Sequence, residues 1–414
     1  MDLLERVAER EGPRLRGYVS VFLALREAQE SGRAPSNERI EALLAQEAPD
    51  ETWKDALREG VLAAFADAPR HDAFGDLVLR LWDTPERERP EDLLSQSSER
   101  QLLARAAAVQ GGPRHARLLV EQLTTRLGRE EVRGALASLG EPALEAVLEA
   151  LEDPKTTRSL RVHLPRTLAR FGTARAAEAL LRTIETGLDG LVRYKAIRGL
   201  GKLVAEHGVP VDRRRVEDLA VANLREHLRL VGISVALGRN ARSTIVGDRR
   251  RADTTRQFLA GLLADKARQS LERAFRLVKI AHPNEDIHSV HRAALSADKP
   301  ARANAGEFLD TLLTLRHERL LRDLLRLVTD DLETEDRVSR AAEYVEAPAS
   351  YEAAIVTLAS DADPFLSQIA REHARATGEP QLVRDTTEAA SRRDTREPDR
   401  AERYPFLQAA DHAT

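Results

Sequence analysis

Leu312, Leu313, Leu315, Leu320, Leu321, Leu324, Leu325 and Leu327 recur at intervals of three and four. That spacing aligns side chains along one face of a helix. Almost every long segment of the chain shows the same period. Strand signals are scarce, and the best of them, Ser243-Thr244-Ile245-Val246, is too short to build a sheet. Helix punctuation is frequent. Thr84-Pro85 and Asp363-Pro364 each read as an N-cap followed by proline at the first helical position. Gly140, Gly172, Gly208 and Gly378 read as C-terminal stops. Helices of roughly 10–16 residues separated by short breaks predict an all-α protein.

The helices also repeat. Arg133 to Gly140 closes one helix, Arg161 to Gly172 a second, and Asp189 to Gly201 a third, so the closing glycines lie 32 and 29 residues apart. Later echoes run from Asp298 to Leu309 and from Asp361 to Ala374. Two helices per unit and a period of about 30 residues predict an α-solenoid, in which each pair completes its core against the next. Ala196 and Gly199 are small enough to let helices approach closely.

Asp189, Val192, Arg193, Ala196, Leu200 and Gly201 resemble the second-helix signature of HEAT repeats. Asp298, Ala301, Arg302, Ala305 and Leu309 fit with small shifts, and in 363–378 Ser367 stands at the arginine position. The resemblance implies an α-solenoid of HEAT-like helical hairpins, with an Asp–Arg ladder between successive repeats. Over residues 98–380 it narrows. Leu271 to Val278, His282 to Ile287, Ala301 to Ala305 and Glu307 to Asp310, with Arg193 to Arg198, are similar to the cytosolic HEAT region of bacterial fusion proteins. Those fusions carry an ATP/ADP-translocase-like membrane domain and often a cyclic-nucleotide-binding domain. Neither is recognisable here, so the resemblance implies a scaffold role without transport. The expected organisation is an N-terminal helical cap over 1–97, with a polar linker at Glu86–Asp92, repeats over 98–380, and a charged, flexible tail over 381–414. Within that tail, Tyr404-Pro405-Phe406-Leu407 could dock as a short peptide.

Composition narrows the function. The 414 residues contain no cysteine, which excludes disulfides, thiolate metal sites and a cysteine nucleophile. No run approaches 18 apolar residues, and the amphipathic start Met1-Asp2-Leu3-Leu4-Glu5-Arg6 lacks the pattern of a signal peptide, so a cytoplasmic protein is expected. Of the basic residues, 57 are arginine and 7 lysine, which reads chiefly as a GC-rich genome. The net charge of −4 conceals zoning: residues 1–100 sum to −8, 101–150 to zero, 151–300 to +12 and 301–414 to −8.

Two features concentrate the central charge. Lys195, Arg198 and Lys202 follow one helical stripe beside Arg193, and an expected loop from Arg239 to Arg256 carries Arg239, Arg242, Arg249, Arg250 and Arg251. A groove lined by these groups would attract an acidic protein segment, the expected partner, or a nucleic-acid backbone, the alternative. The bland reading is a solvated face neutralised by neighbouring acids. Tyr194, Phe258 and Phe275 are the aromatics between 172 and 300, and the spacing around Phe258 and Phe275 suits core packing better than base stacking. A third reading places the chain beside a membrane transporter as a regulatory subunit, peripheral to the membrane.

Motifs for chemistry are missing: there is no Gly-x-Ser-x-Gly, Walker loop, Gly-x-Gly-x-x-Gly or His-Glu-x-x-His. His282, Glu285, Asp286, His288 and His291 are permissive for a metal, yet surface histidines and helix-start acids explain them as well. No catalytic residue, cofactor or metal is assigned, and a non-enzymatic scaffold is expected. Some HEAT-like solenoids are DNA glycosylases or bilin lyases, which is the enzymatic alternative. Trp53 and Trp82 fall outside the repeats, against the aromatic groove that a glycosylase uses.

Overall fold

The computed structural model describes residues 3–82, 93–186, 189–239 and 247–383, and these are helical without a strand. The chain divides into two compact units, 1–210 and 211–414. Thr84-Pro85, the linker at 86–92, Ser243–Val246, Arg242 and the tail from 384 lie outside the described residues.

The first unit contains α1 (Leu3–Glu11), α2 (Pro13–Ser31), α3 (Glu38–Leu44), α4 (Glu51–Asp67), α5 (Asp72–Trp82), α6 (Leu93–Gln110) and α7 (Pro113–Gln122). It continues with α8 (Arg129–Leu139), α9 (Glu141–Glu152), α10 (Arg158–Arg161), α11 (Leu164–Leu168), α12 (Ala174–Thr186) and α13 (Gly190–His207). Helices α2 and α4 cross where Gly17 meets the Leu57 carbonyl and Gly60 meets the Arg14 carbonyl, leaving no room for a Cβ on either glycine. Buried Gln110 joins α6 to the end of α4: its amide donates to the carbonyls of Phe65 at 2.9 Å and Ala68 at 3.0 Å.

From α7 onward the helices pair. Helix α7 packs on α8 and α9, α11 on α8, α9 and α13, and α12 on α11 and α13. Each pair therefore touches its own partner and the corresponding helix of the next pair. Gly199 of α13 makes one such approach: a Cβ there would lie 2.8 Å from the Pro165 carbonyl of α11. The expected stops at Gly140, Gly172, Gly208 and Gly378 all have positive φ, at 66°, 64°, 61° and 84°. Such angles are strained for residues with a Cβ. Gly201 is different. It lies inside α13, which continues to His207, so the third stop is Gly208. The Lys202–Glu206 pair and buried Leu203 carry the helix past it.

The second unit contains α14 (Arg213–Arg239), α15 (Arg249–Ala281), α16 (Ile287–Leu295), α17 (Lys299–Leu312), α18 (Arg319–Thr329), α19 (Thr334–Ala341), α20 (Tyr351–Ala359) and α21 (Pro364–Ala376). Helices α14 and α15 span 27 and 33 residues, well beyond the expected length. Packed together, they bury Leu230, Ile233, Leu237, Leu259 and Leu263 against Ile355 and Leu358 of α20 and Leu366 and Ala370 of α21. The leucine-rich stretch 312–327 proves to be two helices. Helix α17 ends at Leu312, Leu315 is exposed, and α18 starts only after buried Glu318 accepts the Leu315 N–H at 2.9 Å.

Asp189, Asp298 and Asp363 cap α13, α17 and α21 by accepting backbone N–H bonds in the first turn. Their links to other helices differ. Arg158 pairs with Asp189 and Lys266 with Asp363, while Arg302 donates to the carbonyls closing α18, Thr329 at 2.7 Å and Asp330 at 2.5 Å. Buried Ser367 turns back onto its own helix, donating to the Pro364 carbonyl at 3.1 Å.

Candidate functional site: a cationic cluster on three successive helix pairs

On the side of the first unit formed by α7, α9 and α12, three arginines meet carboxylates. The carboxylates of α9 lie between arginines of its neighbours. Glu149 meets Arg117 of α7 at 3.3 Å, and Glu145 and Glu152 meet Arg175 and Arg182 of α12 at 2.5 Å and 3.6 Å. Glu141 also pairs with Arg175. These exposed pairs set register more than they add stability.

The side formed by α8, α11 and α13 is different. Arg129 and Arg133 come from α8, His163, Arg166 and Arg170 from α11 and its ends, and Lys195 and Arg198 from α13. A single carboxylate, Glu130, pairs with Arg133, with Arg166 at 3.0 Å and with Arg170 at 2.6 Å. Burial raises the Glu130 carboxyl, but the three guanidinium groups outweigh it and hold it below its ordinary value.

The remaining cations are not neutralised by that acid. Arg129 donates to the Thr124 carbonyl at 2.8 Å, a neutral partner. Lys195 is half-buried, and no acid pairs with it among the described residues. Its ammonium is pushed down by burial, then by Arg133, Arg129, Arg166 and Arg198. His163 is half-buried beside the same groups. Burial first, then Arg129, Lys195 and Arg133, depress its imidazole to about 4. Arg133 is only 3% exposed, and burial depresses even its guanidinium. The Nε–H groups of Arg129 and Arg133 are buried with no acceptor among the described residues. The structure thus concentrates positive charge where one carboxylate is insufficient.

Lys195 and Arg198 belong to this cluster, as their +12 surroundings led one to expect. Arg198 also lies over the Tyr194 ring at 5.9 Å. Arg193 shares α13, while Lys202, further along it, is paired with Glu206 at 3.4 Å. Arg129 and Arg133 were not foreseen. They come from a charge-balanced stretch, and only the packing of α8 on α11 adds them to the α13 stripe.

The second expected group lies in the other unit, and there the loop expectation is corrected. Helix α14 runs through Arg239 and α15 begins at Arg249, so Arg249, Arg250, Arg251 and Arg256 are helical. Asp248 accepts the Arg251 N–H at 3.1 Å and starts the helix early. Arg239 donates to the Ala349 carbonyl at 2.9 Å, and Arg251 pairs with Glu372 of α21. Arg249 and Arg250 are exposed. Phe275 is buried, as expected, but Phe258 is 61% exposed, because α15 turns Leu259 and Leu263 inward instead.

A third cluster, also unforeseen, is buried in the second unit. Glu217, His282 and Glu318 offer ligand atoms within 4.8 Å of one another. Arg213 stands among them, donating from Nε to Glu217 at 2.7 Å and from Nη2 to Glu318. His282 Nε2 lies 3.2 Å from Glu217. Burial raises the Glu217 carboxyl, while His282 and Arg213 hold it below its ordinary value. The arginine already supplies the positive charge that a cation would bring. Of the permissive histidines, His291 stacks on Phe275 at 4.7 Å and His288 is exposed.

No helix among the described residues is long and apolar enough to cross a membrane. No known protein family, curated protein or solved structure matches the chain.

Proposed function

We propose that this chain is a non-enzymatic scaffold, an α-solenoid of HEAT-like helix pairs that holds an acidic segment of a protein partner on the α8–α11–α13 face. The observation that carries this reading is the contrast between the two sides of one unit. On the α7–α9–α12 side Arg117, Arg175 and Arg182 each meet a carboxylate of α9, whereas Arg129, Lys195 and Arg198 face a deficit of negative charge. An incoming acidic segment would relieve that deficit and gain from the local field. The resemblance to HEAT repeats supports the scaffold assignment, and the tandem contacts of α7 to α13 agree with it. A cytoplasmic location fits the same reading.

Fluorescence anisotropy with a labelled Asp/Glu-rich peptide tests it on the full chain across a salt series. Binding should weaken with salt and fall at least about tenfold in Lys195→Glu/Arg198→Glu. Binding that ignores both salt and the charge reversal would sink the assignment. A labelled oligonucleotide in parallel tests the nucleic-acid alternative, and stronger binding to it than to the peptide would replace the proposed partner class.

A further inference from the structure

Helices α15 and α21 pack antiparallel, and contacts at both ends fix their alignment. Thr255 and His373 meet at 2.8 Å and Arg251 pairs with Glu372 at one end, while Lys266 pairs with Asp363 at the other. Between these ties an apolar band faces solvent. Phe258 is 61% exposed and Phe365 59%. Partly buried Leu262 and Ile369, each four residues after one of them, join the band to the core beneath. Single exposed apolar side chains are ordinary, but two phenylalanines continuous with a core form a patch of the kind that binds another protein. Gly261 is an independent sign. It is exposed inside α15, where glycine weakens a helix, and among the described residues nothing that packs on α15 comes within 4 Å of where its Cβ would stand.

We infer that this band is a dimer interface, occupied by α15 of a second copy of the chain running antiparallel across it. The charges single out a second copy. A two-fold axis at Phe258 sets each residue opposite the one equally far along α15 in the other direction, and every contact occurs twice. Arg251 and Asp265 each lie seven residues from Phe258, close to two helical turns, so they share its face. Arg251 of each copy then stands opposite Asp265 of the other. Asp248 and Arg268, ten residues away on either side, are exchanged in the same way. Arg251, Asp265 and Arg268 are all more than half exposed, so their ion pairs with Glu372 and with each other leave them accessible to a second copy. A partner carrying one sign of charge would suit only one end of the band, and parallel stacking would set like charges together. Beside the axis, Thr254 and Gly261 leave room for the Phe258 ring of the second copy, and Phe365 and Ile369 widen the band on the α21 side. This surface belongs to the second unit and is independent of the acidic-partner reading.

Sedimentation velocity of the full chain over a concentration series tests the inference. The wild type should pass from monomer to dimer. Phe258→Ser and Phe365→Ser, both at exposed positions, should each raise the dissociation constant at least about tenfold with the helical circular dichroism unchanged. Arg251→Asp and Asp265→Arg should each weaken self-association, because each sets like charges opposite one another. Mixed in equal amounts, these two folded variants should form a mixed dimer, since opposite charges face each other again. A wild-type chain that stays monomeric up to its solubility limit overturns the inference. A dimer that Phe258→Ser leaves intact overturns it too, by placing the second copy elsewhere, as do charge variants that fail to associate on mixing.

Discussion

Arg158 and Asp189 come from successive helix pairs, and the Arg158 guanidinium donates to the same Asp189 carboxylate that caps α13. The bond from Nη2 is 3.4 Å, and the cap bonds from the Leu191 and Val192 N–H groups are 2.8 and 3.2 Å. One aspartate thus starts a helix and ties it to the pair before it. Burial raises its carboxyl, but Arg158 and the two backbone donors outweigh this and hold it low. Its contribution is therefore present above the unfolded carboxylate value and is lost as pH falls through the lower folded value. Asp189→Ala should cost about 0.5–2 kcal/mol, and Asp189→Asn, which retains a cap, should cost less. Denaturant midpoints at neutral pH check the order, and the difference should shrink in acid.

Removing a close approach should be costly. Gly199→Leu places side-chain volume where even a Cβ would lie 2.8 Å from the Pro165 carbonyl. Overpacking of this kind costs about 1–3 kcal/mol. Gly134→Ala, with open space around its Cβ on α8, is the control and should be neutral or slightly stabilising. Thermal melts of the two variants make the comparison.

The arginines at the start of α15 should separate by position. Cations in a first turn oppose the helix dipole, so Arg249→Glu and Arg250→Glu should each stabilise by about 0.3–1 kcal/mol. Arg251→Glu instead places an acid against Glu372, its present partner, and should destabilise. A stability ranking with Arg251→Glu at the top would refute the assignment of that ion pair.

Tyr351, His373 and half-buried Thr255 form a chain of hydrogen bonds. His373 Nε2 lies 2.8 Å from the Tyr351 hydroxyl and Nδ1 lies 2.8 Å from Thr255 Oγ1, which also donates to the Arg251 carbonyl at 2.8 Å. That last bond makes Nδ1 the donor to Thr255 and Nε2 the acceptor from Tyr351. Burial, followed by Arg256, pushes the imidazole below its ordinary value. The folded state therefore favours neutral His373, and this stability, present above the unfolded histidine value, declines as pH falls toward the folded one. Tyr351→Phe strands Nε2 and should cost about 1–3 kcal/mol near neutral pH. An unchanged unfolding midpoint would remove this hydrogen-bond chain from the account.

Breaking the buried ion network should be severe. Arg213→Ala leaves Glu217 and Glu318, 4% and 1% exposed, facing each other without their shared cation. Loss of one member of a buried pair costs about 3–5 kcal/mol, and because Arg213 is itself half-exposed the lower end is expected. Adding Glu318→Gln to Arg213→Ala should recover part of the loss, which urea unfolding of the single and double variants will resolve.

The sequence alone determined what nearest neighbours along a helix determine. Periodic leucines, capping aspartates at 189, 298 and 363, and glycine stops at 140, 172, 208 and 378 act within a turn or two, so they are readable before any tertiary contact is known. The charge zoning was also present in the order of residues, and it led to Lys195 and Arg198. Tertiary structure decided the rest. Gly201 reads locally as a stop, yet α13 passes through it, and Phe258 has a core-like spacing, yet it faces outward. Arg129 and Arg133 join Lys195 only because α11 packs on both α8 and α13, and Glu217, His282 and Glu318 meet only through the folding of the second unit. Electrostatic energy depends on distance in space, and residues 60 or 100 positions apart acquire that distance only when their helices pack.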